Sequence, residues 1–207
     1  MSLTVIIIII NVVVSYMGFQ NPALQYKMTM NPVAILRQGQ WYRVVTSGFI
    51  HSNWAHLGFN MFTFYFFGRL VEQIFTALKG DLGGIYFVVF YILGIVISDL
   101  PSLLKHKDNP HYNSLGASGG VASVVFCSIL FFPTNNICLY GFICIPGFIL
   151  GVVYLIYSYT KGKSLSDNVN HDAHLIGAVF GLIFSVVMEP RVLTSFIQQI
   201  AEWNPFS

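Results

Sequence analysis

Apolar residues fall into six long runs along this chain, separated by short polar stretches. Runs of about 18 or more such residues read as spanning helices, because ~20 residues at 1.5 Å rise cross the hydrocarbon core of a bilayer. The first predicted helix covers about 3–19 and is interrupted by Asn11. A signal peptide is a poorer reading of it, because Met-Ser-Leu-Thr supplies no basic region and no small-x-small cleavage motif follows. Residues 20–52 hold Pro22, Lys27, Pro32, Arg37 and Arg43 and read as a long polar or interfacial loop. Further helices are predicted at about 54–75, 84–104, 116–132, 138–159 and 172–189, with a tight turn at 133–136 and a polar loop at 161–170. The tail, 190–207, reads as a short interfacial helix carrying Phe196 and Trp203. No repeat or linker interrupts the pattern. The expectation is one domain over 1–207, an all-α membrane protein built as a bundle of six transmembrane helices with a long first loop.

Composition sharpens this. Of 207 residues 55% are hydrophobic and 9% charged, where a soluble domain carries roughly 25% charged residues. So few charges cannot cover a water-facing surface, which excludes an ordinary cytosolic enzyme, a disordered chain and a basic-patch nucleic-acid binder. The formal net charge of +2 implies no polyanionic partner. The chain reads as a multi-pass integral membrane protein whose surroundings are the lipid bilayer. Cys127, Cys138 and Cys144 are odd in number and form no C-x-x-C pair. They read as small buried hydrophobes, with no disulfide framework and no zinc site.

Strongly polar residues at membrane depth are costly unless partnered, so each is a functional-site candidate. Asn11 and Asp99 stand apart and read as structural. His51, His56 and Asn60 form a group in which His56 and Asn60, four apart, share one helix face. Both donate hydrogen bonds from neutral side chains, which suits an oxyanion or a substrate carbonyl. A metal set without carboxylates and an interhelical hydrogen-bond staple stay open as alternatives. The second group joins Ser118, in Gly116-Ala117-Ser118-Gly119-Gly120, to His174, in His171-Asp172-Ala173-His174. A lone G-x-S-G is weak evidence, since serine at a helix start is often a cap. Serine needs a base to take its proton, however, and a histidine at the matching end of another apolar helix makes the minimal activated pair. Asp172 lies about 200° around the helix from His174 and cannot orient it.

On these motifs the chain resembles the rhomboid family of intramembrane serine proteases. The G-x-S-G of 116–119, the A-H-x-x-G of 173–177 and the H-x4-H-x3-N of His51, His56 and Asn60 occur in family order. Trp41-Tyr42-Arg43 resembles the tryptophan-arginine motif of the first loop, with one residue inserted, and Glu72 stands where the family has an acid near the end of the second helix. The resemblance covers roughly 35–190. It implies Ser118 as nucleophile, His174 as general base, and an oxyanion hole of His56, Asn60 and the Ser118 N–H. Arg43, Glu72, Gly116, Gly119, Gly177 and Gly181 would give structural support, and no cofactor or metal is implied. Substrates would be membrane-anchored proteins cut in or near helix-destabilised transmembrane segments, and the expected location is a bacterial cytoplasmic membrane. The alternative is an inactive rhomboid-like protein that binds client transmembrane helices.

Two departures stand out. Many family members carry an aromatic residue four positions after the serine, packed on the catalytic imidazole, and here that position is Ala122. The resemblance also implies a cytoplasmic N-terminus. That would leave Arg69, Lys79 and Arg191 inside and Lys27, Arg37, Arg43, Lys105, Lys107, Lys161 and Lys163 outside, against the positive-inside rule. The expectation follows the resemblance, because three of those outer cations lie in the first loop, where Arg43 is expected to have a structural partner. Finally, Gly177 and Gly181 share a face with His174, so a small-residue seam is expected to pack on the Ser118/Ala122 face of the fourth helix.

Overall fold

Local capping chemistry starts half of the α-helices among the described residues. In a computed structural model, which describes residues 1–139, 143–162 and 170–204, α1 (Leu3–Gln20) begins behind Ser2, whose hydroxyl accepts from the Val5 N–H. The long loop winds into three short helices, α2 (Pro22–Met28), α3 (Pro32–Gln38) and α4 (Arg43–Thr46). Asn21 and Asn31 cap the first two, each followed by a proline whose missing N–H costs nothing at that position. Then come α5 (Trp54–Lys79), capped by Asn53, and α6 (Gly83–Lys105). The turn between them uses Gly80 at φ 56°. α7 (Ser118–Phe131) leads into a hairpin of β1 (Asn136–Leu139) and β2 (Ile143–Pro146), and α8 (Gly147–Gly162), α9 (His171–Met188) and α10 (Val192–Ala201) complete the described chain.

By length and composition, α1, the continuous α5–α6 stretch and α9 are apolar enough to cross a membrane. α7, with 14 residues, and α8, with 16, are shorter. Burial explains the character of α7: residues 119–124 and 126–130 are all buried, so it has no polar face and occupies the centre, packed by α5, α6, α8 and α9. An aromatic core fills the space between α5, α6 and α9. Phe64 lies against Tyr91, Phe75 against Phe90, and Phe90 stacks on Phe180.

Two sequence expectations are corrected in the hairpin. The fifth helix starts at Gly147 rather than near Cys138. Isoleucine-rich segments on both sides of the hairpin favour extended backbone, and Pro146 pushes Ile145 away from the helical region. Cys138 and Cys144 face each other across the ladder and form a disulfide, with Cα atoms 3.9 Å apart. Only Cys127 is the small buried thiol expected. The hairpin brings together two cysteines whose pairing needed a register, which hydrophobicity alone does not specify.

The half-buried carboxylate of Glu72, in the second half of α5, anchors the bundle's first helix. Glu72 accepts from the N–H groups of Leu3 (2.8 Å) and Thr4 (3.0 Å) and from the Thr4 hydroxyl (2.6 Å), so an acid meets the positive end of α1. Asn11 and Asp99 do not stand alone either. Asn11 donates to the Ile7 carbonyl and to the Tyr91 hydroxyl, and the Ser47 hydroxyl donates to Asp99. Arg43 is buried in the first loop. It donates to the carbonyls of Tyr26 (2.6 Å) and Thr29 (2.9 Å) and to Gln40 (2.7 Å). Next to Thr29, Met30 exchanges backbone hydrogen bonds with Ser114, while the Ser47 carbonyl accepts from the Gly116 N–H at 2.8 Å. The first loop is thereby fastened to the segment that leads into α7.

Candidate active site

Ser118 is the first residue of α7, and its approach is shaped by glycine. Gly116 has φ 117°, and a Cβ there would come within 2.5 Å of His56 Cε1 and 2.8 Å of His56 Nε2. The His56 ring therefore lies against the backbone just before Ser118, in space that only a glycine leaves. His56 Nδ1 is 3.2 Å from the Ser52 hydroxyl, which itself accepts from Asn53 at 3.3 Å. With Ser52 donating to Nδ1, the ring carries its proton on Nε2, the atom beside Gly116. Asn60 is buried one turn further along α5 and donates one amide N–H to the His56 carbonyl at 2.9 Å, leaving its second amide hydrogen. At the start of α7, the first N–H groups have no acceptor within the helix and carry the positive end of its dipole. The Ser118 N–H is one of them.

His174 reaches the same end of the bundle by close helix contact. A Cβ at Gly177 would overlap the Gly119 carbonyl, and one at Gly181 would overlap the Ser123 carbonyl. A Cβ at Gly119 would lie 3.6 Å from the Ala173 carbonyl and overlap the Ser98 side chain of α6. Gly119, next to Ser118, and Ala173, next to His174, are thus near neighbours across the seam, and the two backbones touch at Gly119 and Gly177. The expected seam exists one residue further along: Gly177 and Gly181 pack on Gly119 and Ser123, not on Ser118 and Ala122. Backbone-to-backbone approach requires a glycine at the contact itself, and that residue is Gly119. Ser118, His56 and His174 are half-buried, within reach of a reacting group without being sealed from one.

The start of α9 is fastened independently. Asn170 caps it by accepting from the Ala173 N–H at 3.1 Å, and its amide donates to Ser102 on α6 at 2.9 Å. Asp172 pairs with Lys105 at 3.0 Å, so this carboxylate is engaged with α6. Tyr154 of α8 stacks beside the His174 ring, centroids 6.4 Å apart and planes 23° from parallel. Among the described residues no group of histidines, cysteines and carboxylates is placed to hold a metal ion.

One residue of the site has a role that the motif alone does not assign. His51 is fully buried, with Nε2 accepting from the Ala117 N–H at 3.3 Å and Nδ1 2.9 Å from the Ser15 hydroxyl. Ser15 in turn donates to the Phe49 carbonyl at 3.3 Å. His51 is therefore the member of the histidine pair that supports the serine loop from behind, while His56 faces it. Its place in the H-x4-H spacing was the available signal, but spacing does not tell which histidine is inside.

The fold and this polar cluster define a helical membrane protein with a serine and two histidines gathered at one end of its central helix. The chain belongs to the rhomboid family, since the family model described as Rhomboid domain matches residues 38–191. It is similar to RHOMBOID-like protein 12, mitochondrial, of Arabidopsis thaliana, 28% identical over 71% of this chain and 46% of that protein. It is similar also to Rhomboid-like protein 11, chloroplastic, of the same plant, 33% identical over 69% of this chain and 51% of that one. Rhomboid protease GluP of Bacillus subtilis is 24% identical over 71% of this chain and 26% of its own length. The chain spans about half the length, or less, of the curated relatives it matches. Two of these relatives carry organelle names, so a specifically bacterial membrane is not supported. An integral membrane protein is.

Proposed function

We propose that this protein is an intramembrane serine endopeptidase that cuts membrane-anchored proteins in or near their transmembrane segments, with α1 and α5 to α9 as its six crossings. Ser118 is the nucleophile and His174 the general base. His174 takes the hydroxyl proton as Ser118 Oγ attacks the scissile carbonyl. His56 Nε2–H, the Asn60 amide and the Ser118 N–H hold the developing oxyanion. The protonated His174 gives its proton to the leaving amine, and water then cleaves the acyl-enzyme by the same route in reverse order. The observation that supports this reading is the contact of the α7 and α9 backbones at Gly119 and Gly177, about one turn from His174, with His56 against Gly116 just before Ser118.

Backbone amides inside a helix are already hydrogen-bonded, so the substrate must unwind before its carbonyl can be attacked. Segments with glycine or proline near the cut are therefore the preferred substrates. The test is cleavage of such a segment by detergent-solubilised protein, together with labelling by a fluorophosphonate probe. Ser118→Ala and His174→Ala each lose cleavage while retaining helicity, and the double variant is no worse than either, because the pair acts as a unit. Full cleavage by Ser118→Ala overturns the proposal.

A further inference from the structure

His174 must present one nitrogen to Ser118, and a half-buried imidazole on the first turn of α9 can still rotate about two side-chain bonds. The usual restraint, a carboxylate on the far nitrogen, is not offered by Asp172, which pairs with Lys105. α8 supplies a different one. The Tyr154 ring lies beside His174 in an offset stack, 6.4 Å between centroids and 23° between planes, within the range where ring pairs attract. Tyr154 is itself braced by Phe126, 5.5 Å away. Phe126 is buried and sits about two turns beyond Ser118 on α7. His171 also meets His174 edge-on, with centroids 6.0 Å apart. The helix that carries the nucleophile thus braces, through Phe126 and Tyr154, the ring of the base. Between Ser118 and Phe126 on α7 stands Ala122, whose small side chain provides no ring of its own.

We propose that Tyr154 is the positioning residue that fixes the His174 imidazole toward Ser118 by ring stacking from α8. The role belongs to the ring and not to the hydroxyl. It rests on the Ser118/His174 reading given above, and it adds the requirement that an aromatic side chain stand at position 154.

The experiment compares Tyr154→Phe, Tyr154→Trp, Tyr154→Leu and Tyr154→Met with wild type and Ser118→Ala. Fluorophosphonate labelling rate, kcat, KM and thermal midpoint are measured on each solubilised protein. Labelling reads activation of the serine without the need for a bound substrate helix. Tyr154→Phe is expected to keep the wild-type labelling rate and kcat. Tyr154→Leu and Tyr154→Met are expected to lose about ten-fold in both, with KM unchanged and the folded fraction intact, and Tyr154→Trp to recover part of that loss. A purely structural role predicts the reverse, a lowered midpoint with normal rates in the folded fraction. Wild-type rates in both Tyr154→Leu and Tyr154→Met, with Ser118→Ala inactive, overturn the positioning role alone. So does equal loss in Tyr154→Phe, which would assign the effect to the hydroxyl. Cleavage by Ser118→Ala overturns the dyad and this role with it.

Discussion

The imidazole of His51 accepts a hydrogen bond from the backbone N–H of Ala117, the residue next to Ser118, at 3.3 Å. That single bond ties the loop before α5 to the start of α7, and it requires a neutral ring. Because Nε2 accepts, the proton sits on Nδ1 and points to the Ser15 hydroxyl on α1. Three parts of the chain thus share one buried side chain.

The first prediction follows from that geometry. Burial, with the neighbouring His56 second, pushes the His51 pKa from 6.5 down to about 3. The folded protein therefore holds His51 neutral over a range in which the unfolded chain protonates it. Stability from this group is fully present above about pH 6.5 and is lost as pH falls toward 3, at about 1.4 kcal/mol per pH unit. In a thermal-denaturation series His51→Gln is expected to lose part of this acid sensitivity. At pH 7.5 His51→Ala is expected to be about 1–3 kcal/mol less stable than wild type, since it leaves the buried Ala117 N–H without its acceptor.

His56 and Asn60 are expected to act on rate more than on stability. Removing one preorganised oxyanion donor costs on the order of 10²–10³ in kcat. His56→Ala and Asn60→Ala should each show a loss of that order, with a small change in thermal midpoint. Gly116→Ala should be as damaging as His56→Ala, because its Cβ would displace the His56 ring and its φ of 117° disfavours any side chain. An interhelical staple predicts the opposite pattern, and parallel kinetic and melting measurements separate the two.

The α7–α9 seam tolerates no additional carbon. At Gly177 and Gly181 the atoms met by a Cβ are main-chain atoms of Gly119 and Ser123, which cannot move aside as a flexible side chain could. Gly181→Ala, and not only larger substitutions, should therefore separate the helices. Strain of about 1–3 kcal/mol or more is expected, along with loss of activity, although Gly181 lies two turns from His174. Gly58, with open space around its Cβ position, is the matching control: Gly58→Ala should retain both stability and cleavage.

The disulfide bears on orientation. α7 starts with Ser118 and ends at Phe131, so the Cys138–Cys144 hairpin lies at the opposite end of the bundle from the candidate site. Disulfides persist in oxidising compartments, and the cation-rich side of a membrane protein faces inward. The cations that outnumber the rest lie at the Ser118 end, so bridge and charge agree with each other and oppose the orientation implied by family resemblance. In intact membranes, a membrane-impermeant thiol reagent is expected to label a cysteine placed at Lys79 from the outer side and not one placed at Lys107. Without reductant, alkylation of the denatured protein should modify one of the three cysteines, Cys127.

Much of this was readable from residue order. The helices at Leu3–Gln20, Trp54–Lys79, Gly83–Lys105, Ser118–Phe131 and His171–Met188 follow the apolar runs closely, because in a bilayer the length of an apolar stretch nearly dictates its structure. The hairpin escaped for the same reason: in an apolar segment, strand and helix bury similar side chains, and the choice falls to β-branching, Pro146 and the cross-strand cysteines. The candidate residues were legible as types at spacings, Ser118 after a glycine, His174 before one, His56 one turn from Asn60.

How those residues face one another comes from the packing of the helices. Residue order alone makes the chain a helical membrane protein with serine and histidine at corresponding helix ends, since cost at membrane depth makes each polar residue conspicuous. It could not choose which histidine of the pair lies inside, shift the glycine seam from Ser118/Ala122 to Gly119/Ser123, or find Tyr154 beside His174. Each of these depends on the rotation and register of one helix against another. Those are set by where two backbones first touch, at Gly119 against Gly177 and Ser123 against Gly181, and a contact between helices leaves no mark in the periodicity of either one.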